Sequence, residues 1–290
     1  MSITTTDFSA RPTFLLVHGS ITSSFMWAPL QRELALLGHR SFAIDLPGHG
    51  LDAQYSRFYQ APQDLDAWAQ EPSTLAEVTL DDNVDAVGEA IRRLREHGPV
   101  VLVGASLGGL TITLAANRYP ELVDGLVYIS AWACASGKNP YEYMSAPEFD
   151  GSLLAPLAAL NIGDPAALGA GRANNRTSDI DLLRALKSAS MADVTDAQFM
   201  AFLNIMQSDE SIAVMTGDAR LEPTTWGTIP HGYIRQTEDR TFPVAMQDRI
   251  IREADELTPD NPFRVHTMHS SHVGFVFQSD EVAKVLNDWS

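Results

Sequence analysis

Two spacings of apolar residues alternate along the chain. Short runs of aliphatic and β-branched residues predict buried strands, and apolar positions three and four apart predict helices. The predicted strands lie at 13–18, 41–46, 100–103, 122–130, 230–235 and 263–268, and the predicted helices at 25–37, 79–97, 110–119, 243–256 and 280–289. This alternation of strand and helix indicates the α/β class, with a mostly parallel central sheet flanked by helices.

The pattern changes between residues 131 and 227. This stretch has few strand-like runs, many alanines and glycines, and short helical segments around 152–160, 179–190 and 195–208. We expect an inserted helical cap at 131–227 on a core of residues 1–130 and 228–290. An insertion between sheet strands lies over the carboxyl edge, where ligands bind in open α/β sheets. Residues 51–78 show no regular pattern.

Composition limits the kinds of partner that the protein is expected to bind. The 290 residues carry a net charge of −17, which disfavours binding to nucleic acid or to an anionic membrane. No apolar run approaches the ~20 residues needed to cross a bilayer.

The single cysteine, Cys134, cannot form a disulfide within the chain and is expected to be buried. The N-terminus lacks the pattern of a signal peptide, so we expect a cytoplasmic protein. Its oligomeric state stays open.

Gly104-Ala105-Ser106-Leu107-Gly108 lies between a predicted strand and a predicted helix. A strand, a sharp turn and a helix form the context in which G-x-S-x-G presents a nucleophilic serine. Small residues allow the turn, and the helix N-terminus directs free N–H groups towards developing negative charge. The alternative interpretation is a glycine-rich turn without chemistry. We favour Ser106 as a nucleophile.

A serine hydroxyl needs a base and an acid that orients this base. In this type of site the order along the chain is serine, acid, histidine. Asp239 is the favoured acid because it lies in a loop after the strand at 230–235. Glu238 is the nearest rival, and Asp218 is disfavoured because it lies in the expected cap.

Three histidines near the C-terminus are candidates for the base. His266 lies inside the last predicted strand, His269 directly after it, and His272 further along the loop. The length of this loop favours His272, with His269 as the runner-up. The backbone N–H groups of Ser20 and Leu107 are the expected oxyanion donors, because Leu107 follows the nucleophile and Ser20 follows the first strand.

Five segments together resemble the α/β-hydrolase superfamily, serine esterase type. They are LLVHGS (15–20), DLPGHG (45–50), GASLGG (104–109), TEDRTFP (237–243) and SSHVGF (270–275). The spacing is most similar to the branch of methylesterases and hydroxynitrile lyases. The resemblance implies a triad of Ser106, Asp239 and His272, which settles His272 over His269. It also implies oxyanion donors at Ser20 and Leu107 and no cofactor or metal.

The chain departs from the lyases of that branch at two positions. They resemble one another in having threonine where this chain has Gly19 and lysine where it has Val273. We therefore expect a serine hydrolase that cleaves a small, largely uncharged ester or lactone through an acyl-enzyme. The alternatives are an acyltransferase or thioesterase, a lyase-type tailoring enzyme, and a non-catalytic receptor for small molecules.

Overall fold

Six strands form a parallel sheet in the computed structural model, which describes residues 11–289. Their order across the sheet is β2-β1-β3-β4-β7-β8. The bounds are β1 Thr13–Val17, β2 Arg40–Ile44, β3 Val100–Ala105, β4 Gly125–Ile129, β7 His231–Gln236 and β8 Arg264–Met268. The predicted parallel α/β architecture is therefore confirmed. The first ten residues, to which the expected absence of a signal peptide refers, lie outside the described part of the chain.

Eleven α-helices occur in residues 11–289. Their bounds are α1 Ala28–Leu36, α2 Leu65–Gln70, α3 Leu80–Arg95, α4 Gly108–Arg118, α5 Pro140–Tyr143, α6 Pro165–Leu168, α7 Ile180–Ser190, α8 Asp196–Leu203, α9 Ile212–Thr216, α10 Val244–Leu257 and α11 Ser279–Asn287. Within this range, no helix is both long and apolar enough to cross a membrane.

Both faces of the sheet are buried along the inner strands β1, β3 and β4. Along β1, Leu15 and Val17 contact the apolar layer under α3, α4 and α10, whereas Phe14 and Leu16 contact the layer under α1 and α11. Successive side chains of a strand point to opposite faces, so a continuous apolar run is what a doubly covered strand requires. Cys134 is buried in the first of these layers, as expected.

Outside residues 131–227, two predicted elements differ from the structure by more than two residues at a boundary. The strand expected at 122–130 begins only at Gly125, because Pro120–Leu122 form a turn of 3-10 helix after α4. The helix expected at 25–37 is divided into a 3-10 turn, Ser24–Trp27, and α1. Pro29 lies in the first turn of α1, where the missing N–H of proline leaves no helical hydrogen bond unmade.

Residues 131–227, called the insert below, contain more than helices. Two three-residue strands, β5 Ala170–Arg172 and β6 Asp209–Ser211, pair antiparallel. The helix expected at 195–208 ends at Leu203, and the chain then enters β6. Outside the insert, α2 lies in the stretch expected to be irregular, and the side chain of Asp64 caps it. Elements of three to six residues are too short to show a hydrophobic period.

Candidate active site

Ser106 lies at the turn between β3 and α4. It has a φ of 52°, a left-handed conformation that costs about 1–3 kcal/mol for a residue other than glycine. Its N–H donates to the carbonyl of Ile129 at 3.2 Å, and its carbonyl accepts from the N–H groups of Gly109 and Trp132, both at 3.1 Å. These contacts hold the strained turn and expose the hydroxyl beyond the carboxyl edge of the sheet.

The glycine at the start of α4 allows this helix to approach β1 closely. A Cβ on Gly108 would lie 2.6 Å from the carbonyl oxygen of His18 and 2.7 Å from that of Val17. Both obstructing atoms belong to the backbone of an interior strand and the loop that follows it, so they cannot move aside cheaply. The absence of a side chain at position 108 is therefore what brings the N-terminus of α4 against the loop after β1.

We expect Gly108→Ala to destabilise the fold by about 1–3 kcal/mol, the usual cost of overpacking an interior. Gly171→Ala is the matched control, because a Cβ there would come no closer than 3.8 Å to a neighbouring atom. The free energy of unfolding from urea titration checks the difference. Equal midpoints for the two variants would contradict the close approach.

Ser106, His272 and Asp239 form a hydrogen-bonded chain across three loops. His272 Nε2 lies 3.0 Å from Ser106 Oγ, and His272 Nδ1 lies 2.6 Å from Asp239 Oδ2. The three side chains follow β3, β8 and β7, whose carboxyl ends meet at one edge of a parallel sheet. Because a carboxylate only accepts, Nδ1 carries the proton and Nε2 is free to accept the serine proton.

Five hydrogen bonds surround the carboxylate of Asp239, which is fully buried. Oδ1 accepts from the N–H of Thr241 at 2.9 Å, from its hydroxyl at 3.0 Å, and from the N–H of Phe242 at 2.7 Å. Oδ2 accepts from the hydroxyl of Ser130 at 2.5 Å as well as from His272. Sequence reasoning missed Ser130. Its only signal is a polar residue directly after β4, at the same edge of the sheet.

The competing candidates lie outside this arrangement. The side chain of Glu238 is exposed, and Asp218 pairs with a neighbouring arginine at 2.7 Å on the surface. His266 faces the carboxylate of Glu281 at 3.1 Å, and His269 is exposed. None of the four contacts Ser106. Within residues 11–289, no group of three or more His, Cys, Asp or Glu side chains is placed to hold a metal ion.

A cavity of about 180 Å³ opens over Ser106. Most of its wall is apolar and much of it comes from the insert, and the lining residues besides Ser106 and His272 are Ser20, Leu107, Trp132, Pro140, Tyr141, Met144, Phe149, Leu154, Met215, Thr241 and Phe242. Among the described residues, the N–H groups of Ser20 and Leu107 donate to no protein acceptor. Two free donors therefore border the cavity beside the serine.

Comparison with known proteins gives some matches along nearly the whole chain and others along less than half of it. Polyneuridine aldehyde esterase from Rauvolfia serpentina is 25% identical over 295 residues, which cover 96% of this chain and 95% of that protein. Alpha-hydroxynitrile lyase from Arabidopsis thaliana is 30% identical over 119 residues, 41% of this chain and 39% of the lyase. These relatives confirm the resemblance to a branch that contains both esterases and hydroxynitrile lyases.

A comparison with solved structures supports the predicted fold. The crystal structure of a pyrethroid hydrolase from Sphingobium faniae superposes with a TM-score of 0.71 at 22% identity, covering 97% of each chain. Residues 14–285 match the sequence profile of a family described as the alpha/beta hydrolase family. The expected enzyme class, a hydrolase, is thereby confirmed. This chain belongs to the alpha/beta hydrolase family.

Proposed function

We propose that the protein is a serine esterase that needs no cofactor and acts on small-molecule substrates. The observation that carries this proposal is the unbroken chain from Ser106 through His272 to Asp239, with contacts of 3.0 and 2.6 Å. A serine, a base and an orienting acid in this arrangement are what acyl transfer requires. The name of the relative that matches along its full length, an esterase, supports the same class of bond.

In the proposed mechanism, His272 Nε2 takes the proton of Ser106 as Oγ attacks the ester carbonyl. The N–H groups of Ser20 and Leu107 bind the oxyanion that forms. The C–O bond to the alcohol then breaks, and His272 returns its proton to the departing alkoxide. Asp239 holds the imidazole in the required tautomer and stabilises the imidazolium.

The second half releases the acyl group to water. His272 accepts a proton from a water molecule while the hydroxide adds to the acyl carbonyl. The collapse of this second tetrahedral intermediate breaks the bond to Ser106 Oγ, which takes the proton back from His272. The products are one carboxylic acid and one alcohol, and the enzyme returns to its starting state. The insert acts as a cap that forms much of the cavity wall.

The cavity favours an uncharged substrate. Its wall carries four aromatic side chains, Trp132, Tyr141, Phe149 and Phe242, and besides His272 no ionisable group other than the phenol of Tyr141. An isolated carboxylate that enters such a wall loses its water without gaining a partner. We therefore place small neutral esters and lactones in this site.

A matched pair of substrates tests this preference. We expect 4-nitrophenyl butyrate to have a kcat/KM at least about tenfold higher than mono-4-nitrophenyl succinate, because desolvation of an unpaired charge costs more than 1.4 kcal/mol, which is about a factor of ten. The two esters share a leaving group and differ by a carboxylate at the end of the acyl chain. Equal kcat/KM values would contradict the neutral site.

The alternatives use the same residues differently. A lyase is favoured by one observation, the 30% identity to a hydroxynitrile lyase over 119 residues. A lyase uses the triad for proton transfer and forms no acyl-enzyme. An acyltransferase or thioesterase forms the acyl-enzyme, and in the transferase another nucleophile replaces water. A receptor on a hydrolase scaffold needs no ordered triad, whereas the triad of this protein is aligned for proton transfer.

The cytoplasmic location stays a prediction from the sequence.

Labelling with a fluorophosphonate probe tests the reactive serine. We expect one adduct per chain on the peptide that contains Ser106, and none in Ser106→Ala. Unlabelled Ser106 beside a labelled serine elsewhere would contradict the proposal. Addition of an alcohol or amine during ester turnover then distinguishes hydrolysis from acyl transfer by the products formed.

A further inference from the structure

Three buried titratable side chains lie below the loop that carries Ser20. His18, His49 and Glu210 are 1%, 2% and 4% exposed, and none belongs to the triad. His18 and His49 follow β1 and β2, whereas Glu210 belongs to β6 in the insert. Buried charges are costly unless they are paired and hydrogen-bonded. The cluster therefore calls for an explanation from its contacts.

The contacts of His18 define a neutral ring. Its Nδ1 donates to the carbonyl of Gly19 at 2.9 Å, and its Nε2 accepts from the N–H of Leu46 at 3.2 Å. A ring with one donor and one acceptor nitrogen is the uncharged imidazole. Burial, and then the charge of His49, lower the pKa of His18 to about 4, which agrees with this assignment.

His49 lies between a backbone carbonyl and the carboxylate of Glu210. Its Nδ1 lies 3.1 Å from the carbonyl of Pro47, and its Nε2 lies 3.6 Å from Oε2 of Glu210. Nδ1 faces a carbonyl and therefore carries a proton, whereas Nε2 lies at ion-pair distance from the carboxylate without a hydrogen bond. Burial lowers the pKa of His49, but Glu210 outweighs burial and raises it, with smaller contributions from the carbonyl of Pro47 and then from Asp45. When His49 is protonated it is therefore the buried counter-ion of Glu210, with neutral His18 at 4.8 Å between ring centroids.

Glu210 also contacts the loop after β1 directly. Its Oε2 accepts a hydrogen bond from the N–H of Ile21 at 3.0 Å. The next link is Gln207, whose N–H donates to the carbonyl of Ile21 at 2.8 Å. Ile21 has a φ of 49°, a strained conformation for a β-branched residue. Both polar groups of the residue after Ser20 are thus bound by the insert, which holds Ile21 in a conformation that it rarely adopts.

We propose that Glu210 is a positioning residue of the oxyanion hole. Its carboxylate fixes the loop Gly19–Ile21, so that the N–H of Ser20 faces the reacting carbonyl, and His49 is its counter-ion. This inference rests on the proposed function, in which Ser20 donates to the oxyanion. It gives the insert a second role besides forming the cavity wall: the insert completes the catalytic geometry.

Two consequences follow for activity. An oxyanion donor that is lost or misplaced costs about 10²-fold or more in kcat, because it acts on charge that develops in the transition state. The ion pair is fully present below pH 6.5, the ordinary pKa of histidine, and is lost as the pH rises through the raised pKa of His49. Above that pKa Glu210 is a buried carboxylate without its counter-ion, a costly arrangement that weakens its hold on the loop, so activity should fall along an alkaline limb that depends on Glu210.

Two substitutions at position 210 separate positioning from bulk stability. Glu210→Ala removes the acceptor for the N–H of Ile21, and Glu210→Gln keeps an acceptor oxygen but removes the charge. Asp209→Asn is the matched control, because Asp209 neighbours Glu210 on β6 and its buried carboxylate binds Arg172 at 2.7 Å instead of the loop. Each variant is assayed with 4-nitrophenyl butyrate across pH, and the amide hydrogen exchange of residues 18–24 is measured.

We expect Glu210→Ala to lower kcat about 10²-fold with KM changed less than about threefold, and Glu210→Gln to recover at least about tenfold of that loss at pH 6. In Glu210→Gln the alkaline limb should shift to lower pH, because the buried imidazolium has lost its counter-ion. Asp209→Asn should keep the kcat of its folded fraction. A kcat within threefold of wild type in folded Glu210→Ala, or an equal loss in Glu210→Gln, would overturn the proposal.

Hydrogen exchange makes this test independent of the proposed function. If Glu210 holds the loop Gly19–Ile21, the amides of residues 18–24 exchange faster in Glu210→Ala than in Asp209→Asn, even if wild type hydrolyses no ester. Faster exchange without esterase activity would contradict the proposed function but support the role of Glu210 in holding the loop. Equal exchange rates in Glu210→Ala and Asp209→Asn would overturn this role of Glu210. If Glu210→Ala does not fold, the pH profile of Glu210→Gln decides, and an unshifted limb overturns the proposal.

Discussion

Ser106→Ala is expected to lower kcat for ester hydrolysis by about 10⁶-fold, the loss typical of removing the nucleophile of such a triad. Without Oγ no acyl-enzyme forms, and His272 has no hydroxyl to deprotonate. Steady-state turnover of 4-nitrophenyl butyrate at high enzyme concentration measures the residual rate. More than about 1% of wild-type kcat would be incompatible with Ser106 as the nucleophile.

The stability of this variant has to be checked in parallel. The strain at position 106 comes from its φ of 52°. Alanine has a Cβ like serine and is strained there to the same degree, so the melting temperature of Ser106→Ala should differ little from that of wild type. Ser188→Ala is a matched control, since this serine lies on α7 and its hydroxyl accepts from Arg240 at 3.3 Å rather than facing the cavity. It should retain wild-type kcat and KM.

Asp239→Asn is expected to lower kcat by about 10⁴-fold with the backbone unchanged. Oδ1 of Asp239 faces the N–H groups of Thr241 and Phe242, so the amide oxygen of asparagine takes that place. Its NH₂ group then faces His272 Nδ1 and donates to it. This selects the tautomer with the proton on Nε2, which cannot accept from Ser106. Values of kcat and KM measure the effect.

Glu238→Gln is the control for this substitution. It removes a neighbouring carboxylate from the same loop, but Glu238 is exposed and does not contact His272. Its kcat should stay within about twofold of wild type, as for most surface substitutions. A large loss in Glu238→Gln together with a small loss in Asp239→Asn would exchange the roles of the two acids.

The strands and the candidate residues were predictable from the sequence because their signals are local or ordered. The apolar run before Ser106 identifies a buried strand, and the order of serine, acid and histidine restricts Asp239 and His272 to two loops. A parallel sheet then brings these loops to one edge. The resemblance to a known superfamily added the choice between His269 and His272.

The supporting contacts could not be predicted in the same way. Ser130 and Asp239 are 109 positions apart in the chain, and Ile21 and Glu210 are 189 apart. No period or motif links such pairs, and only the packing of the insert against the loop after β1 brings the second pair together. The short strands β5 and β6 were missed because three residues show no alternation, although β6 places Glu210.

An acyl-enzyme on Ser106 is the species that distinguishes this mechanism from the alternatives. Wild-type protein mixed with 4-nitrophenyl acetate and quenched in acid within milliseconds can be digested and examined by mass spectrometry. We expect one acetyl group per chain on the peptide that contains Ser106, formed as fast as the initial burst of nitrophenol and absent in Ser106→Ala. Steady release of nitrophenol with no adduct on that peptide at any quench time would contradict it.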